Sequence, residues 1–187
     1  RINTIRGVNA TLCIMRNTLI WIILGSQVIL LLIGLRLVFH ILPVIASLHT
    51  KLPYVPSHKN VVRKIIQLGL LENKKHVVDL GSGLGWLLVT LAKHNVETQF
   101  YGVELRKVFF WMSKFYTFGY RERIHITHGD MFEYPINEAD AIVGFWVTSF
   151  MPTLLEKFTN ECKPDCIIIS NMFPLPENTV FSEQVIT

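Results

Sequence analysis

Three acids and a run of glycines are the residues in this chain best suited to chemistry. Asp79-Leu80-Gly81-Ser82-Gly83-Leu84-Gly85 sets alternate glycines just after an acid on a short hydrophobic run. Glycine permits backbone angles and close ligand approach that other residues resist. Glu104 closes a second hydrophobic run, and Asp130-Met131 follows a third. A carboxylate at position 104 can accept both hydroxyls of a ribose. One at position 130 can accept from an adenine amino group while Met131 packs on the ring. A phosphate-cradling loop is excluded, because no Gly-Lys-Ser/Thr follows the glycines. The nicotinamide fingerprint G-x-G-x-x-G would place its third glycine one residue beyond Gly85. The S-adenosyl-L-methionine type of loop fits better, with Asp79, Gly81, Ser82, Gly83, Gly85, Glu104, Asp130 and Met131 as its cofactor-binding set.

Such a site needs strands that end at these acids and helices that start after them. Prolines 53 and 56 mark an extended connector, and Ser57 can cap a helix with an apolar stripe at Val61, Val62, Ile65, Ile66 and Leu68. The pattern then predicts a strand at 76–80, a helix at 86–94, a strand at 99–104 and a helix at 106–118. Strands at 124–128 and 139–144, a helix with Pro152 in its first turn, and a strand at 166–171 follow. Strands alternating with helices argue for an α/β fold around an open, mostly parallel sheet. In such sheets ligands lie outside the carboxyl ends of the strands. Beyond the Pro174 and Pro176 segment, residues 179–187 are enough for one more strand; a seven-strand sheet would want another, so the domain is expected to lack its last one.

Half of the 187 residues are hydrophobic and the mean hydropathy is +0.38, and the excess is concentrated near the start. Residues 17–35 carry no charge. About 20 apolar residues in a helix span the roughly 30 Å core of a bilayer, which residues 18–42 satisfy, with Pro43 as the expected stop. The reading is an N-terminal flank at 1–17, a transmembrane anchor at 18–42, a connector at 43–57 and a catalytic domain at 58–187. The membrane lipid bilayer is thus an expected partner, and Lys51, Lys59, Arg63 and Lys64 can lie against anionic lipid or form a solvated helix face. The net charge of +4 comes with 14 acids, so no nucleic-acid footprint is expected. Three cysteines make neither a disulfide framework nor a paired zinc motif, and no metal site is expected.

Region 52–176 resembles the FAM173 family of class I methyltransferases. The marks are Pro53-Tyr54-Val55-Pro56, Asp79 through Gly85, Gly102-Val103-Glu104-Leu105, Gly129-Asp130-Met131-Phe132 and Asn171-Met172-Phe173-Pro174-Leu175-Pro176. The family loop usually reads Gly-Ser-Gly-Asp-Gly-Arg, and here Leu84 and Trp86 replace the Asp and Arg. The resemblance implies a Rossmann-like class I methyltransferase sheet with flanking helices, preceded by a transmembrane helix. It implies S-adenosyl-L-methionine as cofactor and lysine of a membrane-associated protein as substrate, in a mitochondrial or bacterial inner membrane. The alternatives are a lipid or quinone methyltransferase, which the anchor and the aromatic helix at 106–118 also suit, and a non-catalytic membrane module. Methyl transfer needs mainly an unprotonated nucleophile aligned in line with the methyl carbon. Phe145, Trp146, Thr148 and Phe150, after the fourth strand, are candidates to line a channel for it or to pack the core. Tyr54, Trp146 and His128 are the candidate catalytic residues, and none identifies itself as an indispensable general base.

Overall fold

The structure, a computed structural model, describes residues 2–48 and 59–170. The chain forms two compact units, Arg1–Pro53 and Tyr54–Thr187. The first contains one long helix, α1 (Ile2–Leu48). Within it Met15–Val38 is long and apolar enough to cross a membrane. Pro43, expected as a stop, lies inside the helix. A proline removes one N–H donor and crowds the carbonyl four residues back, a local cost that so long an apolar helix absorbs without ending. The helix therefore overruns the expected connector boundary by six residues, to Leu48.

The second unit is built on five strands, β1 (His76–Leu80), β2 (Gln99–Glu104), β3 (Ile124–His128), β4 (Ala141–Gly144) and β5 (Ile167–Ser170). They are ordered β3-β2-β1-β4-β5, and every pairing is parallel. The order reverses between β1 and β4, so a crevice opens at the carboxyl end of β1, the place where ligands of such sheets bind. The helices are α2 (Lys59–Gln67), α3 (Trp86–His94), α4 (Lys107–Tyr116) and α5 (Met151–Glu161).

Because successive strand residues face opposite ways, each strand feeds two cores. Val77, Phe100, Ile124, Ile126 and Val143 pack with Val62 and Ile65 of α2 and Leu88 and Leu91 of α3. Val78, Leu80, Val103 and Ile142 face the other way, onto Leu154 and Phe158 of α5. This is the layered α/β arrangement, a parallel sheet covered on both faces.

Three boundaries differ from the sequence pattern. The fourth strand starts at Ala141 rather than 139, because Asp140 turns its carboxylate back to accept the Lys75 and His76 amides at 2.7 and 2.8 Å. The fifth starts one residue late, at Ile167, since the Cys166 amide closes a turn on the Lys163 carbonyl. The aromatic helix begins one residue late, with Arg106 as its N-cap, and passes into a 3₁₀ turn at Phe118–Tyr120. The expected strand within 179–187 lies outside the described residues.

Candidate functional site

The glycine loop leaves β1 and is pinned to β2 by its backbone. The amides of Gly81 and Ser82 both donate to the Val103 carbonyl, at 3.0 and 2.9 Å. Gly81, Gly83 and Gly85 have φ of 88°, 55° and 76°, the left-handed region in which a side chain is strained. Gly85 then caps α3 without any side-chain hydrogen bond. Its missing Cβ also admits Thr117, whose Cγ2 would lie 2.9 Å from that atom, so the end of α4 packs directly on the loop.

Glu104 is buried at the end of β2 and holds three elements together. Its Oε2 accepts the Gly83 amide at 2.9 Å. Its Oε1 accepts the Arg106 amide at 2.9 Å and the Arg106 Nε at 3.2 Å. Asp79 and Glu104 project from the same face of the sheet, through the register Asp79↔Gly102. Burial, and then the charge of Glu104, push the Asp79 carboxyl up to about 8. Arg106 already pairs the charge of Glu104, so it is a cation brought by a ligand that would favour the ionised form of Asp79.

From β3, the Gly129 amide donates to the Glu104 carbonyl at 3.2 Å. Asp130 accepts the Phe132 amide on Oδ1 at 2.9 Å. Met131 reaches back toward the first loop, its Sδ 3.9 Å from where a Cβ on Gly81 would stand. The eight residues expected to bind cofactor therefore lie on three adjacent strand ends, with hydrogen bonds linking the first to the second and the second to the third.

The residues also fit a nucleoside-bearing cofactor. Ser82 Oγ is buried and makes no hydrogen bond among the described residues, an orphan hydroxyl of the kind a ligand satisfies. The space a Cβ on Gly81 would take, with only Met131 within 4 Å among the described residues, gives a ligand backbone approach.

The catalytic candidates fare differently. Trp146 is fully buried. Its indole N–H donates to the Leu80 carbonyl at 2.9 Å, and its ring occupies the space a Cβ on Gly144 would take, 2.4 Å away. It braces β1 against the β4 loop and presents no group to a substrate. His128 fastens β3 to the start of α4, with Nε2 3.0 Å from the Leu105 carbonyl and its ring edge-on to Phe110 at 5.6 Å. Tyr54 lies outside the described residues. Of the channel candidates, Phe145 is half-buried and Thr148 exposed, while Phe150 stands edge-on to Phe132 at 5.6 Å. Trp86, one of the two departures in the loop, packs against the core of α2 and α3.

Two residues were given no role by the sequence reading. Gly102 must lack a side chain, because a Cβ there would lie 2.8 Å from Ser82 Oγ, Leu88 and Ile126 alike. Arg106 stacks on Phe109 at 3.8 Å and buries its NH1 without a hydrogen-bond partner among the described residues. A base two positions after the ribose-type acid was the available signal.

Comparison with known proteins agrees with this geometry. The ANTKMT methyltransferase domain matches residues 79–181. A protein-lysine N-methyltransferase of Saccharolobus islandicus is 30% identical over 125 residues, covering 66% of this chain and 78% of that protein. A carboxy-S-adenosyl-L-methionine synthase of Nautilia profundicola is 22% identical over 136 residues, 70% of this chain and 58% of that one. Among solved structures, an RNA methyltransferase from Salinibacter ruber in complex with S-adenosyl-L-homocysteine superposes with a TM-score of 0.54 at 24% identity, over 59% of this chain and 72% of that one. An S-adenosylmethionine-dependent methyltransferase from Geobacter sulfurreducens gives 0.53 at 23% identity, over 67% and 52%. These two show the fold. With a match over more than half its length, on the very strand ends described above, this chain belongs to the ANTKMT methyltransferase domain family.

Proposed function

We propose that this chain is an S-adenosyl-L-methionine-dependent methyltransferase that methylates lysine in a membrane-associated protein, held at the bilayer by its N-terminal helix. The observation that carries the cofactor is the convergence of Asp79, Glu104 and Asp130 on three adjacent parallel strand ends around a positive-φ glycine loop. Lysine as the target is supported by the archaeal protein-lysine relative, and the membrane by the 24-residue apolar stretch Met15–Val38. The compartment that suits these is a mitochondrial or bacterial inner membrane.

The cofactor, when bound, supplies a methyl group on a sulfonium that is already an excellent leaving group. The chain's own contribution is therefore alignment rather than bond polarisation. Glu104, its carboxylate held still by the Gly83 amide and Arg106, would accept from the ribose hydroxyls. Asp130 would accept from the adenine amino group, and Met131 would pack on the ring. The Asp79 carboxyl would serve the cationic methionyl end. A lysine amine must arrive unprotonated, and an apolar approach lined by Phe132 and Phe150 lowers its pKa by desolvation.

The test is methyl-labelled cofactor given to membranes that carry the full chain. The expected result is label in protein, recovered as methyllysine, and its loss in Asp79→Ala and Glu104→Ala. Label in the organic extract instead would replace lysine with a lipid or quinone acceptor. A folded chain that binds no cofactor would overturn the enzymatic reading.

A further inference from the structure

Helix α4 is apolar on two sides, which a helix on the surface of a water-soluble domain is not. Its inner side is accounted for by Phe109, buried under the sheet, and by the half-buried Phe110. Its outer side carries Val108, Trp111 and Phe115, spaced for one helical face, and the chain continues into Phe118. Trp111 is 67% exposed, Phe115 80% and Phe118 62%. Leu105, at the lip of the cofactor site, is 55% exposed.

The charges around this face are of one sign. From Leu105 to Arg121 there is no acidic residue. Lys107, Lys114 and Arg121 are all exposed and alternate with the aromatic residues. Two of these bases lie over the rings: Lys114 Nζ is 6.0 Å from the centre of Phe110, and the Arg121 guanidinium is 4.8 Å from that of Phe118. Indole and phenyl rings set among lysine and arginine match a bilayer interface, where rings sink to the acyl boundary and cations stay with phosphate. The same pattern disfavours pairing with a second copy, because like charges would face each other.

We infer that the outer face of α4, from Leu105 through Phe118, docks on an anionic phospholipid surface. The inference rests on the bilayer reading of α1, which turns any lipid contact of the domain into a tethered one with a high effective concentration. Ten residues separate Leu48 from Lys59, and fully extended they reach no more than roughly 40 Å. The catalytic unit therefore stays within reach of whatever bilayer holds the span. Because α4 starts three residues after Glu104, docking would bring the lip of the cofactor site close to the headgroups. That suits a target residue in the membrane-proximal part of another protein.

The experiment uses the full chain reconstituted into vesicles of phosphatidylcholine, with or without phosphatidylserine, whose acyl chains carry bromine near the headgroup. Tryptophan emission of the wild type is compared with that of Trp111→Phe, so that the difference reports Trp111 alone. Flotation with the vesicles reports the span separately. The expected result is a Trp111 component that is blue-shifted and quenched by the shallow bromines when phosphatidylserine is present. Lys107→Glu/Lys114→Glu/Arg121→Glu should still float and bind cofactor, yet lose that quenching. A chain that floats with its Trp111 emission unquenched in every lipid overturns the inference. If that unquenched emission is also blue-shifted, protein, either a second copy or another part of the chain, covers the face. If the chain does not float, the reading of the span fails, and quenching by phosphatidylserine vesicles alone decides the case for α4.

Discussion

A carboxyl held protonated near neutrality is a sensor of what binds beside it, and Asp79 is in that position. Its folded value of about 8 stands above the ordinary 3.8, so the folded state keeps a proton that the unfolded chain gives up. The stability this contributes is present at low pH and is lost as pH rises through that window. A cation next to the carboxyl reverses the preference. The sulfonium or amino group of the cofactor would expel the proton, so affinity should rise with pH toward 8, by at most about tenfold per unit. Calorimetric titrations near pH 7 in two buffers of different ionisation enthalpy should show a proton released on binding. Asp79→Asn should bind more weakly, with neither the release nor the pH dependence. Arg106 makes a different prediction. Its Nε and amide steady Glu104 from the side away from the loop, and Lys cannot reproduce the planar fork. Arg106→Lys should therefore weaken cofactor binding by about tenfold, ~1.4 kcal/mol, while leaving the thermal midpoint nearly unchanged.

At the scale of elements, the site depends on how β1, β2 and β4 are held in register at their carboxyl ends. Trp146 fills the slot over Gly144 and gives its N–H to Leu80, directly before the glycine loop. Gly144→Ala would force that indole out and should cost about 1–3 kcal/mol by overpacking. Trp146→Phe keeps the ring but orphans the buried Leu80 carbonyl, a loss of about 1–3 kcal/mol. Both should appear as lower urea midpoints with unchanged slopes, and both should loosen cofactor binding because the loop starts at that carbonyl. These contacts explain what was legible in the sequence. Strands at 76–80, 99–104 and 124–128 could be read because β-branched and aromatic runs stop at an acid or a glycine. The cofactor set could be read because it follows those stops. Trp146, by contrast, was counted as a channel candidate, since only the fold reveals that Gly144 leaves room for it inside. Gly102 and Arg106 were missed for the same reason, each being defined by a neighbour from another strand or helix. Pro43 misled because the cost of a proline is local, whereas the helix around it is set by a long apolar run.

At the scale of the whole molecule, the proposed function assigns anchoring to the unit that holds the long apolar helix and cofactor binding to the unit that holds the sheet. The division should be separable by experiment, because the hydrogen bonds that shape the candidate cofactor site arise within the sheet unit. Leu24 and Leu31 lie in the middle of Met15–Val38 and are exposed along the helix. An arginine at the centre of a spanning helix costs about 2.5–3.5 kcal/mol on insertion scales, so Leu24→Arg/Leu31→Arg should drive the chain out of the bilayer fraction. Affinity for S-adenosyl-L-methionine should stay within about twofold of wild type, well under the 1.4 kcal/mol that a tenfold change requires. Methylation of a membrane-embedded target should fall far more steeply, because tethering supplies local concentration rather than contacts, and its loss is felt only by a substrate confined to the same surface. A soluble peptide carrying the same lysine provides the control, since its methylation rate should be indifferent to the two arginines. Equal loss on peptide and membrane target would mean that the helix supports the catalytic fold itself, and the two units would then have to be treated as one.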